Sequence, residues 1–191
     1  MTTQGDVELS EKDLEDLASG KKLVDFISGF VIPATPEEVD ATQPMSKQLV
    51  EDYGYPPSCI TTRPQHRVKS RPSDTRGEYP VDIAVFSSER KGADDLYIVV
   101  ECKRSGTRPE DGNDRQIFNY MQFSSASLGI WTNGEDREFY RKIVDGDRIS
   151  FEQIPNLPRF GEDIDSVGKY RRKNLVAPAH LSLTFRAIRN H

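Results

Sequence analysis

The chain has 191 residues, of which 35% are hydrophobic and 30% charged, with a formal net charge of −5. That length suits one α/β core with a small appendage, and no run approaches the roughly 18 apolar residues of a membrane helix. Two cysteines, Cys59 and Cys102, make neither a disulfide framework nor a zinc spacing, and three scattered histidines make no local metal motif.

The N-terminus, "MTTQGDVELSEKDLEDL", has no basic or apolar signal region. Residues 1–22 form an acidic N-terminal arm, read either as a short helix over about 9–18 or as a loose segment. "LVDFISGFVIPAT" is apolar but broken by Gly29 and Pro33, which fits a short strand or buried loop. A helix is expected to open with Thr35 as N-cap and Pro36 at its first position. Val39, Leu49 and Val50 would form its apolar face, Pro44 would kink or break it, and Gly54 would end it.

Three segments, about 64–70, 79–87 and 95–104, are rich in Val, Ile, Tyr and Phe, and suggest an antiparallel meander. A helix is predicted over about 113–124. "SLGIWTNG" reads as a strand closing in an Asn-Gly turn, with "REFYRKIV" its pairing partner. From about 160 the chain becomes loop-like, and "LSLTFRAIRNH" resembles a helix without a cap. There is no phosphate-binding GxxxxGK[ST] loop, and the expectation is a fragment of a larger protein in a reducing, cytoplasmic setting.

Charge is uneven along the chain. Residues 1–55 carry 12 acids and 4 bases, and the remainder 19 acids and 22 bases. An acidic leader before a mildly basic body is compatible with DNA binding without indicating it. Arg63, Arg67, Lys69 and Arg71 would alternate along the first strand, and Arg104, Arg108 and Arg115 flank the next feature.

That feature is "YIVVECK", residues 97–103, an apolar strand that ends in charge. Side chains alternate in a strand, so Glu101 and Lys103 share one face while Cys102 enters the core. Asp82, in "YPVDIAVF", can lie beside Glu101 if the two strands pair. Two adjacent carboxylates suit a hard cation such as Mg²⁺, and a neighbouring lysine could orient an attacking water. Taken alone, Glu101 and Lys103 also fit a solvated ion pair at a sheet edge. Gln116 and Tyr120 lie four apart on one helix face. They equally fit a half-buried tyrosine beside a solvated amide.

The spacing of Asp82, Glu101 and Lys103 resembles the PD-(D/E)xK nuclease motif, with Pro-Val-Asp in place of Pro-Asp. The Gln116-x-x-x-Tyr120 helix resembles a subset of that superfamily. With "TPEEV", "LVEDYGYP" and "WTNGEDREFY" in this order, residues 23–155 are similar to the N-terminal nuclease domain of type I restriction enzyme R subunits. The first helix matches least well, reading "VDATQP" after "PEE".

The resemblance implies an α/β, restriction-endonuclease-like fold, a mixed β-sheet flanked by helices, over residues 23–160. Residues 161–191 would be a linker and the start of a following element. It implies a Mg²⁺-dependent DNA endonuclease domain, with Mn²⁺ able to substitute, in a larger translocase- or methyltransferase-containing protein. Catalysis would fall to Asp82, Glu101, Lys103, Gln116 and Tyr120, and metal binding to Asp82, Glu101 and Glu38. Glu38 equally fits an acid complementing its helix N-terminus. Double-stranded DNA and other restriction–modification subunits or domains would be the partners, with no membrane involved. The rival expectation is a catalytically inactive nuclease-fold module for DNA binding or assembly.

Overall fold

The structure, a computed structural model, describes residues 9–71, 73–77, 79–108, 114–165 and 167. The acidic segment 1–8 and the helix expected over "LSLTFRAIRNH" lie outside the described residues. Helix α1 (Glu11–Ala18) begins at Ser10, whose hydroxyl accepts the Asp13 N–H at 3.1 Å. The Asp13 carboxylate in turn accepts from the Ser10 N–H, closing a reciprocal cap. The apolar stretch that follows forms a hairpin of β1 (Lys22–Val24) and β2 (Val31–Pro33).

The next helical stretch begins at Pro36, but its middle, Glu38–Thr42, widens into a π segment before α2 (Gln43–Glu51). Pro44 explains the widening. It has no N–H for the Asp40 carbonyl four residues back, and its ring would press against that carbonyl. The extra residue per turn rotates Val39 outward, leaving it 49% exposed. It therefore does not join the apolar face, which is formed by Ala41, Met45 and Leu49.

Among the described residues the main sheet has six strands, in the order β10 (Arg148–Ile154), β9 (Arg137–Asp145), β8 (Leu128–Thr132), β7 (Leu96–Cys102), β6 (Ile83–Phe86), β3 (Ile60–Thr61). Only β7 and β8 are parallel, and α3 (Asp114–Gln122) makes the connection between them. Every residue of β6 and β8 is buried, in keeping with the apolar run of β6 and of β8 up to Thr132. One face packs on Ala41, Met45 and Leu49, the other on Ile117, Tyr120 and Met121 of α3. Gly129 of β8 permits that second contact, because a Cβ there would strike Met121 and stand 3.0 Å from Ile117.

The fold is thus an α/β mixed sheet flanked by helices. The expected three-strand meander is only partly present. β6 and β7 pair antiparallel, but the segment before them supplies just β4 (Arg67–Val68), which pairs with β5 (Tyr79–Pro80) in a separate ribbon. The place beside β6 belongs to β3. The strand β10 had no sequence counterpart in the expectation. It returns from β9 through a two-residue turn in which Gly146 has φ 57°. Among the described residues, no helix is long and apolar enough to cross a membrane.

Candidate active site

The antiparallel register pairs Ile83 with Val100, which carries Asp82 alongside Glu101 at one end of the sheet. A bend precedes β6, where the Val81 N–H donates to the His66 carbonyl at 2.9 Å. Asp82 is held by one backbone and one side-chain donor: its Oδ2 accepts the Cys102 N–H at 2.7 Å, and Oδ1 accepts from Gln65 Nε2 at 3.3 Å. Gln65 was not anticipated from sequence, since nothing local distinguishes it.

Alternation along β7 places Cys102 in the core against α2, fully buried, while Glu101 and Lys103 face the other way. Glu101 is 3% exposed, and its Oε1 accepts a hydrogen bond from Lys103 Nζ in a close ion pair. The Lys103 backbone N–H donates to the Thr132 carbonyl at 2.8 Å, so β8 fixes the base of this side chain.

Burial raises the Asp82 carboxyl above its ordinary range, partly opposed by the Cys102 N–H, with Glu37 adding to the rise. Burial likewise raises Glu101, and the Asp82 charge raises it further against the pull of Lys103. Burial lowers Lys103, but the Glu101 hydrogen bond and the surrounding acids outweigh this and keep it charged. These are carboxylates crowded into a largely buried strand end, with Lys103 the positive charge that partly offsets them.

Gln116 and Tyr120 of α3 come together, with Gln116 Nε2 donating to the Tyr120 hydroxyl. Tyr120 is 1% exposed, and its hydroxyl donates to the Pro80 carbonyl at 3.4 Å, two residues before Asp82. Burial pushes it up to about 12, with Glu101 and Asp82 among the contributing charges. The helix therefore delivers this pair to the same corner as the acids.

Glu38 is placed differently. Its two oxygens are occupied by Arg63 Nη2 and by Gln43 Nε2, the latter at 3.1 Å. Glu37, one residue earlier, is the acid of this helix whose charge bears on both Asp82 and Glu101. Burial raises Glu37 as well, while Lys103 lowers it.

The basic residues do not form the single face that strand alternation would give, because only Arg67 and Val68 are extended there. Arg63 turns inward to Glu38, whereas Arg67, Lys69, Arg71, Arg104 and Arg108 are exposed. The Arg115 side chain lies outside the described set.

The donor set fits a hard divalent cation. Among the described residues no three His, Cys, Asp or Glu side chains form a metal-holding group. Mg²⁺, however, ordinarily takes one or two carboxylates and completes its shell with water and substrate phosphate. Asp82 and Glu101 meet that requirement, and a cation would offset the crowding that raises both.

The family described as type I restriction enzyme R protein N terminus matches residues 36–158, more than half of the chain and all of the site just described. No curated protein and no solved structure was found to match. The chain belongs to the family of type I restriction enzyme R protein N-terminal domains.

Proposed function

We propose that this domain is a divalent-metal-dependent nuclease that hydrolyses DNA phosphodiester bonds within a restriction–modification system. The observation carrying this reading is the meeting of Asp82, Glu101 and Lys103 at one sheet end, with both carboxyls raised by burial and mutual repulsion. Mg²⁺, or Mn²⁺ in its place, would be held by Asp82 and Glu101, with Glu37 or Glu38 contributing from the first helix. Bound there, the metal supplies charge stabilisation at the scissile phosphate and a more acidic water.

The chain's own residues do the rest. Lys103, kept protonated by Glu101, offers donors toward the attacking water or the phosphate. Gln116 and Tyr120 border the same corner and would orient the substrate strand. Exposed arginines and lysines supply sequence-independent phosphate contacts. Double-stranded DNA and further restriction–modification subunits or domains are the proposed partners.

Plasmid cleavage with Mg²⁺, compared between the wild-type chain and Asp82→Ala, tests the reading. Metal-dependent nicking or linearisation by the wild type alone is expected. Equal cleavage by the folded variant would remove Asp82 from the site. Binding without cleavage by either would favour a DNA-binding module.

A further inference from the structure

We propose that Asp25 and Gln43 are positioning residues that set the first-helix acids against the metal site, an inference that rests on the nuclease reading above. Asp25 sits in the apolar stretch ahead of the matched region and is 1% exposed. A buried carboxylate is costly unless its lone pairs are filled, and these are. Oδ1 accepts from the Ser28 N–H at 2.7 Å, the Ser28 hydroxyl at 2.8 Å and the Thr62 hydroxyl at 2.5 Å. Oδ2 accepts from Gln43 Nε2 at 2.9 Å. Burial raises this carboxyl, but those bonds prevail and hold it below its ordinary value.

Gln43 relays that fixed charge. Its Nε2 also donates to Glu38 Oε2 at 3.1 Å, while its Oε1 accepts the Phe26 N–H at 2.8 Å. Carboxylates only accept and the backbone N–H only donates, so the amide has a single workable orientation. The second Glu38 oxygen is taken by Arg63, whose Nη1 donates to the Thr62 carbonyl at 2.7 Å. Thr62 returns to Asp25 through its hydroxyl. The result is a closed ring, Asp25–Gln43–Glu38–Arg63–Thr62, spanning the hairpin, the helix and the segment after β3.

The ring has a consequence for the site. The backbone N–H of Gln43 closes the π turn onto the Glu38 carbonyl, so the residue clamps that turn twice. With Glu38 held, both first-helix acids bear on the site, the Glu37 charge reaching Asp82 and Glu101 and the Glu38 charge reaching Asp82. Outer hydrogen bonds of this kind hold ligand orientation, and losing one typically costs 10–100-fold in metal affinity.

The test is Mn²⁺ binding to the full chain, followed by electron paramagnetic resonance, for wild type, Gln43→Met, Thr62→Val and Asp82→Ala. Loss of binding by about ten-fold or more in folded Gln43→Met, with a smaller loss in Thr62→Val, is expected. Should Gln43→Met not fold, Thr62→Val decides, since it removes one ring bond and keeps the side-chain volume. Wild-type Mn²⁺ affinity in the folded variants, with only their melting temperatures lowered, would overturn the inference and leave a merely structural ring. A wild type that binds no Mn²⁺, or binds it as Asp82→Ala does, would instead overturn the nuclease reading beneath it.

Discussion

The Cys102 backbone N–H donates to Asp82 Oδ2 at 2.7 Å, joining the end of β7 to the start of β6 at the point where the acids gather. The donor is a main-chain group, so the bond places the Asp82 carboxylate without using the Cys102 side chain, which remains in the core. It also opposes the burial that raises this carboxyl, though without cancelling it.

That imbalance predicts a stability that falls with pH. The folded state raises Asp82 to about 6 and Glu101 to about 7, against about 4 in an unfolded chain. Between those limits the folded protein binds more protons, so ∂ΔG/∂pH is negative. The stabilising contribution is complete below about pH 4 and is lost as pH rises through about 6 to 7. Asp82→Asn should therefore be more stable than wild type at pH 8, by on the order of 1–2 kcal/mol, and nearly equal to it at pH 4. Urea melts without divalent metal at the two pH values measure this. A variant less stable than wild type at pH 8 would show that the site is not strained by charge.

Metal choice provides a second expectation. Ca²⁺ accepts oxygen ligands with looser geometry and longer bonds than Mg²⁺. It should support DNA binding and little cleavage, whereas Mg²⁺ and Mn²⁺ should support both. Robust cutting in Ca²⁺ or in excess EDTA would contradict a metal held by Asp82 and Glu101.

Gly134 should prove intolerant of any side chain. Its φ is 90°, and a Cβ would collide with the Asp40 carbonyl, the group that Pro44 leaves without its helical donor. Gly106 has φ 81°, but among the described residues nothing lies within 4 Å of a Cβ placed there. Gly106→Ala should cost about 1 kcal/mol from backbone strain alone. Gly134→Ala should cost about 2–3 kcal/mol, since the Asn133–Gly134 turn must also move off the π segment. Equal urea midpoints for the two variants would show that the approach to Asp40 is not tight.

Much of this architecture was legible in the chain. β6 to β9 and α3 declared themselves because buried strands and an amphipathic helix each leave a periodic signature. Glu101 and Lys103 stood out as charges ending an apolar strand. Asp25, an aspartate inside "LVDFIS", presented the same anomaly, but its partners Thr62 and Gln43 are 37 and 18 residues away and share no period with it. Val39 was misplaced because a π turn shifts the helical face, which a regular template does not contain. The edge strand β10 alternates too weakly to be read, being exposed or partly exposed along its whole length.

The two first-helix acids should separate by experiment. Glu38→Gln leaves Arg63 partly buried without its anion, so stability should fall by about 1–3 kcal/mol. Glu37→Gln removes one of the crowded acids and should leave stability equal or higher, while raising the Mg²⁺ concentration needed for cleavage. Thermal melts and Mg²⁺ titrations of cleavage on both variants test the division. The reverse pattern, with metal response lost only in Glu38→Gln at unchanged stability, would make Glu38 the ligand.

Lys103 distinguishes catalysis from charge pairing. If it only neutralised Glu101, Lys103→Arg would keep the positive charge and most of the activity. Lys103→Met would then cost folding stability rather than rate, because it leaves the buried Glu101 without its counter-charge. The ammonium, however, stands at the only buried acid of β7, and its backbone is anchored to Thr132 on β8. A guanidinium is planar, longer and always protonated, so it cannot place a donor at the same point. Both variants should lose at least about 10²-fold in cleavage rate, with DNA and Mn²⁺ affinities changing far less. Rate and both affinities, measured at one salt concentration, decide the matter. A Lys103→Arg protein cutting at near wild-type rate would reduce the lysine to a counter-ion for Glu101.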